Sequence, residues 1–371
     1  MSSLAPASAQ EAARALRSLG EAGTSVRVRG AATKATLPSA EGTVELRSSA
    51  MSRIVEHNEG DFTAVLEPGA RLADAQEAFA KAGQMLALDP PLGEGDAATV
   101  GGVVASADSG PLRHRFGGVR DLLVGITVVL SDGTVATAGG KVIKNVAGYD
   151  LAKLFAGSHG TLGYIASVTV RLHPTAGPTA TARADSGEPR RLATVAAHMA
   201  SLPLEADCLD VGWAHGRGAV LVRFGGATAA DQARRAADRL AEAGLTDAGV
   251  VEDDGELWAV QRAGQRNGGG AMVKVAGVIG DLTAVIAAAE DAGATVVSRA
   301  ALGLSWIAVP AGEDLGSRID QLERSLPATA TLRIGDALPS PGPGAVALMR
   351  RVKARFDPTR IFPELTFTGV A

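Results

Sequence analysis

Side chains able to do acid–base or nucleophilic chemistry are sparse in this chain, and none stands in a recognisable set. The histidines are His57, His114, His159, His173, His198 and His215. No two of them share a metal-ligand spacing such as H-x-H or H-E-x-x-H. Cys208 is the single cysteine, too few for a disulfide framework or an iron–sulfur cluster. Ser158-His159 sits among glycines without a G-x-S-x-G elbow, so Ser-His-Asp hydrolysis has no support. His215 reads as a surface residue in a turn, and His114, between Arg113 and Arg115, as a solvated basic corner or an interaction surface rather than a catalyst. What the chain has in quantity is glycine, 46 residues against 4% aromatics. Its chemistry is therefore that of backbone amides offered to an anion.

The loops that could do this lie between Leu88 and Pro174. In Ala98-Thr99-Val100-Gly101-Gly102-Val103 two glycines let the backbone turn without a Cβ in the way. Successive N–H groups in such a turn can cradle phosphate oxygens, and the Thr99 hydroxyl adds a donor. Gly157, Gly160 and Gly163 give G-x-x-G-x-x-G after a helix rather than G-x-G-x-x-G after a strand, which excludes a Rossmann dinucleotide site.

The elements that must position these loops follow from periodicity. Leu122–Leu130 is an apolar run of strand length, closed by Ser131-Asp132-Gly133-Thr134 with its Asp-Gly hairpin signal. Asp150 is placed to cap a short helix over LAKLFAG, with Leu151, Leu154 and Phe155 on one face. Tyr164 opens a strand ending at Leu172. Upstream, Ser8 and Glu11 make a capping box for a helix over residues 6–20. A short strand, Ser25-Val-Arg-Val-Arg29, runs into Gly30-Ala31-Ala32-Thr33-Lys34.

The pieces ATVGG, RDLLVGITVVLSDGTV, KNVAGYDLAKLFAGSHGTLGYI and RLHP together resemble the FAD-binding domain of the vanillyl-alcohol oxidase / p-cresol methylhydroxylase superfamily. Within it, LDPP, SGPLRHRFGGVRD and KNVAGYDLAKL are most similar to the FAD-binding subunits of bacterial glycolate oxidases. The resemblance implies an α+β fold: a two-part FAD-binding domain, then a smaller α+β cap domain with an antiparallel sheet. It implies non-covalent FAD, there being no His or Cys in the loop 30–34. The implied cofactor residues are Gly30, Ala31, Ala32, Thr33, Lys34, Pro90, Thr99, Gly101, Gly102, Ser109, Gly163 and Ile165. Two positions depart from the family, which has glycines where Ala31 and Ala32 stand. Alanine keeps the N–H but resists positive φ and adds a methyl group. A third departure is Phe362-Pro363-Glu364, where relatives carry Asn-Pro-Gly. Catalytic relatives also have a His-x-His constellation in the cap that is missing here, so no catalytic residue is assigned.

Two functions are consistent with this. One is the FAD-binding subunit of a glycolate-oxidase-like 2-hydroxy acid dehydrogenase complex, with a sister flavoprotein and an iron–sulfur subunit as partners. The other is a non-catalytic scaffold of such a complex with weakened or lost FAD binding.

At 371 residues with 46% apolar side chains, the chain is long enough for two cores. The expected division is residues 1–174 (FAD-binding), 175–189 (a Gly/Ala/Thr/Pro-rich linker), 190–345 (cap) and 346–371 (C-terminal helix and tail). In the cap, strand–helix pairs at 219–243, 272–292 and 305–326 suggest a parallel sheet by alternation alone; the resemblance implies an antiparallel one. A net charge of -4 gives no reason to expect nucleic acid. Without an N-terminal signal or a run of ~20 apolar residues, a cytoplasmic protein is expected, peripheral to a membrane only through partners.

Overall fold

The chain forms two units, Met1–Ser109 with Gly117–Thr175 and Ser340–Ala371, and Gly110–Phe116 with Ala176–Pro339. The computed structural model describes residues 2–33, 41–140, 150–266, 269–327, 331–334 and 343–364.

The first unit holds two main sheets. The alternating Val26–Arg29 strand pairs in parallel with Val44–Arg47, which pairs in parallel with Ser3–Leu4. Val26 and Leu46 thereby turn inward onto Ala12, Ala13 and Leu16 of the helix Ala9–Glu21. That helix begins at Ala9 rather than at the expected residue 6, but with the expected cap: Ser8 Oγ accepts the Glu11 N–H at 3.2 Å, while Glu11 Oε2 accepts the Ala7 N–H at 2.9 Å. The second sheet is antiparallel throughout, in the order Ile54–Asn58, Thr63–Leu66, Tyr164–Arg171, Leu123–Val129, Val135–Gly139. Its last hairpin turns at Asp132-Gly133, with Gly133 at φ +80° and Asp132 Oδ1 accepting the Thr134 N–H at 2.8 Å. The KNVAGY part of the motif lies outside the described residues. The helix after it is a single turn, Ala152–Phe155, and Leu151 rather than Asp150 stands at its N-cap. Only Phe155 of the three expected apolar residues is buried.

The C-terminal helix Pro343–Phe356 ends before Asp357-Pro358, because proline cannot continue it. The tail then lies along the first sheet, where the Val26 N–H donates to the Ile361 carbonyl at 2.7 Å. Ile361 and Phe362 complete the core beneath it.

The second unit carries an eight-stranded sheet in which every pairing is antiparallel. The parallel arrangement suggested by alternation fails: Ala271–Ala276 pairs antiparallel with both Leu304–Val309 and Thr331–Ile334, and strands that sequence reading passed over supply further antiparallel partners. Cys208–Ala214 separates Arg217–Gly225 from Thr295–Arg299. The expected linker 175–189 is one of these: Thr179–Ser186 is a full strand between Arg217–Gly225 and Thr246–Val251. Ala180, Ala182 and Ala184 are fully buried, and small side chains there leave room for the alanine-rich helix Ala229–Glu242 to pack closely. Low hydrophobicity per residue concealed a strand whose period of two is nonetheless regular. The segment Gly110–Phe116 also belongs to this unit rather than to residues 1–174.

Among the described residues no helix is long and apolar enough to cross a membrane, and no three His, Cys, Asp or Glu side chains could hold a metal ion.

Candidate functional site

One cleft of the first unit has about 900 Å³ of empty space, its solvent-open part included. Its walls are Arg27–Thr33, the turn at Thr99–Ser106, the 159–165 loop and Pro363 of the tail, with Ser48 and Pro68. Of the twelve residues the sequence nominated, Gly30, Ala31, Ala32, Thr33, Thr99, Gly101, Gly102, Gly163 and Ile165 all line it. Pro90 and Ser109 do not. Both are buried elsewhere in the unit, and the Gln76 side chain pins the segment leading to Pro90 by bonding Leu86 and Leu88. Lys34 lies outside the described residues.

The two nominated loops play different parts. The amides around Thr99, expected as phosphate donors, are already engaged. Val100 N–H donates to the Ala70 carbonyl and Gly101 N–H to the Pro68 carbonyl, both at 2.8 Å, and Gly102 N–H donates to Thr99 Oγ1 at 3.3 Å. This stretch is the start of the helix Val100–Ser106, capped by Thr99 and seated on the 68–70 turn. Gly101 is needed because a Cβ there would stand 2.7 Å from Pro68 Cβ and 2.8 Å from its carbonyl oxygen.

The 30–33 loop is the open one. Among the described residues, no acceptor engages the amides of Ala31, Ala32 or Thr33, and Ala31 and Ala32 are exposed. A Cβ at Gly30 would stand 2.3 Å from the Thr99 hydroxyl, so a side chain there would force one of the two to shift. Ala32 adopts φ +58°, the left-handed conformation a glycine would take without cost. The loop keeps its shape despite the alanine.

Sequence reading missed the charge of the cleft. Arg27 and Arg29 line it, and their guanidiniums both donate to Glu45 Oε1 at 2.7 Å, while Arg47 donates to Oε2 at 3.0 Å. The hydrogen bond from Arg27, with those of Arg29 and Arg47, holds the Glu45 carboxyl down to about 2 against the opposing effect of burial. The signal was available: in VRVR the arginines fall at i and i+2, on one face of the strand.

Groups able to move protons are few. His159 lines the cleft at φ +53° with its N–H on the Ala105 carbonyl at 2.8 Å. Ser158 Oγ bonds the Phe155 carbonyl at 2.9 Å, so the Ser-His dipeptide is not a catalytic pair. Burial raises the Tyr164 phenol far above its usual range, which leaves it no base at neutral pH. In the second unit His215 is exposed in the hairpin turn, as expected. His114 is instead half-buried, and that burial together with Arg115 lowers its pKa, so it is not a solvated corner. The fully buried Asp210 is paired with the fully buried Arg299 at 2.6 Å. Burial pushes Asp210 up to about 6, opposed by Arg299. Enclosed in this way, the pair is part of the sheet's packing.

Residues 3–139 match the family model of the FAD binding domain. The chain is 36% identical over 175 residues to the glycolate oxidase subunit GlcD of Bacillus subtilis, covering 46% of this chain and 36% of that protein. It is 38% identical over 121 residues to the glycolate oxidase subunit GlcE of Escherichia coli, covering 33% of this chain and 34% of that one. The matches thus span about a third of the length of each of these relatives. A solved structure of alkyldihydroxyacetonephosphate synthase superposes with a TM-score of 0.72 at 15% identity, over 97% of this chain and 75% of its own. That likeness establishes the fold.

Proposed function

We propose that this chain is an FAD-dependent oxidoreductase subunit acting in 2-hydroxy acid oxidation of the glycolate-oxidase type, with its flavin held non-covalently in the first unit. The single observation that carries the reading is the cleft beside Ala31–Thr33. Its open amides and its arginines fit the diphosphate of FAD. On this reading the 30–33 loop holds the diphosphate, and the backbone of Gly163 and Ile165 lies along the rest of the cofactor. Gly30 lets the loop approach, and the Thr99–Gly102 turn shapes the wall rather than donating to it. A bound FAD would supply the electron transfer, and the protein's part is to bind, orient and enclose it. A sister flavoprotein and an iron–sulfur subunit are the proposed partners, in the cytoplasm. The names of the relatives and the scarcity of acid–base groups favour an electron-carrying subunit over a self-sufficient oxidase.

A second reading, a scaffold with weakened FAD binding, draws on Ala31 and Ala32, whose methyl groups stand in the cleft.

The test is the visible absorbance of the purified protein, with released cofactor quantified after heat denaturation. Flavin bands near one FAD per chain support the first reading, and glycolate should then bleach them. A colourless protein that takes up no added FAD supports the scaffold.

A further inference from the structure

We propose that Arg71, which lines no wall of the cleft, is the positioning residue that fixes the 30–33 loop and thereby sets how slowly the flavin leaves. The inference rests on the function proposed above and concerns retention of the cofactor rather than its recognition.

One segment braces the 30–33 loop at both ends. At the start of the loop Gly30 lies against the Thr99 hydroxyl, and at its end a Cβ on Gly93 would stand 2.7 Å from Thr33 Cγ2. Thr33 is half-buried, whereas Ala31 and Ala32 are exposed. Between the two braces the chain makes a tight turn. The Ala98 N–H donates to the Leu92 carbonyl at 2.9 Å, and the Asp96 N–H to the Gly93 carbonyl at 3.2 Å. Asp96 is held at φ +53°, a conformation that costs a residue with a side chain. Residues 93–96 are exposed and include no apolar side chain, so burial does not hold this turn.

Arg71 holds it instead. Its guanidinium donates to the Gly95 carbonyl and to the Asp96 carbonyl, the latter from Nη2 at 3.3 Å and from Nε at 3.4 Å. Its Nη1 lies 3.5 Å from Asp74 Oδ1, in the first turn of the helix Leu72–Ala80. The backbone beside it fixes the far end of the segment: Arg71 bridges to Thr99, and the Leu72 N–H donates to the Ala98 carbonyl at 2.9 Å. The planar fork can grip two successive carbonyls at once because it carries five donors. A loop braced in this way keeps its open amides aligned before the ligand arrives. Preorganisation of that kind removes an ordering cost from binding, and it shows mainly as slower dissociation.

In Arg71→Met the rate of FAD release should rise roughly tenfold, as for loss of hydrogen bonds from a charged donor, with the association rate little changed. Arg71→Lys keeps the charge without the fork and should recover part of the slow release. Gly93→Ala drives a methyl group toward Thr33 and should speed release with Arg71 still in place. Both changes act through one segment, so the double variant should release FAD more slowly than the product of the two single effects implies.

The experiment dilutes FAD-loaded protein rapidly and times the return of free-flavin fluorescence, with a thermal melt of each apoprotein beside it. Faster release from Arg71→Met that still melts as a folded protein is the expected result. Wild-type release from folded Arg71→Met would make Arg71 merely structural and overturn the proposal, whatever its melting temperature. So would wild-type release from Gly93→Ala, which tests the Thr33 contact independently. Wild-type protein that binds no flavin at all would instead overturn the function proposed above, and this inference with it.

Discussion

Lys353 and Asp357 form an ion pair one helical turn apart at the end of the C-terminal helix, and together they fasten the tail to the cleft. The Lys353 ammonium also donates to the carbonyls of Thr161 at 2.8 Å, Phe362 at 3.0 Å and Pro363 at 3.1 Å. The fully buried Asp357 accepts the N–H groups of Ile361 at 3.1 Å and Phe362 at 3.2 Å. One ammonium thus joins the 159–165 wall of the cleft to the tail residue Pro363 that lines it. Replacing Lys353 with Met leaves Asp357 buried and unpaired. Such losses cost about 3–5 kcal/mol, so denaturant unfolding should register a drop on that order. An unchanged midpoint would mean that the pair is incidental.

Ala32 is the residue at which stability and ligand binding should improve together. Its left-handed backbone costs an alanine roughly 1–2 kcal/mol relative to the favoured regions, and glycine gives back part of that gain through its freer unfolded chain. Ala32→Gly should raise stability by up to about 1 kcal/mol and tighten FAD, since a methyl group leaves the cleft. A thermal melt and a flavin titration check the two effects separately. A lower melting temperature would contradict the strain reading.

Gly101→Val should fail for a reason other than a blocked phosphate. Its side chain meets Pro68, and overpacking of this kind costs about 1–3 kcal/mol or more. Loss of flavin is therefore expected together with a lower melting temperature of the apoprotein. A variant that keeps full thermal stability but no flavin would return the Gly101 amide to a ligand-binding role.

Acid should destabilise the first unit through Glu45. Its pKa is lowered on folding, so the unfolded chain binds the proton more readily. The stabilisation is complete above the ordinary glutamate value of about 4.3 and is lost as pH falls from there toward about 2. Melting temperatures measured across that window should fall more steeply in wild type than in Glu45→Gln. Parallel curves would locate the acid sensitivity elsewhere.

Much of the first unit was written locally. The Ser8 cap, the VRVR strand and the Asp132-Gly133 hairpin each depend on neighbours a few residues away, and periodicity or turn chemistry reveals them. The convergence of nine nominated residues on one cleft was likewise legible, through glycine spacing and family resemblance. Three things depended on contacts between distant segments. The Val100 and Gly101 amides are consumed by the 68–70 turn about 30 residues earlier and the Gly102 amide by Thr99 Oγ1, so a glycine pattern that looks like an anion cradle is a packing device. The strand Thr179–Ser186 is held by its partners and by burial of small alanines, neither of which raises its hydrophobicity in sequence. The cationic wall arises because a parallel register sets Arg27, Arg29 and Arg47 around one glutamate. Local spacing determined which backbone could turn and which face of a strand each side chain takes. Only the tertiary structure decided which amides stay open to a ligand and where the charge beside them comes from, because both follow from pairings that no short window of sequence contains.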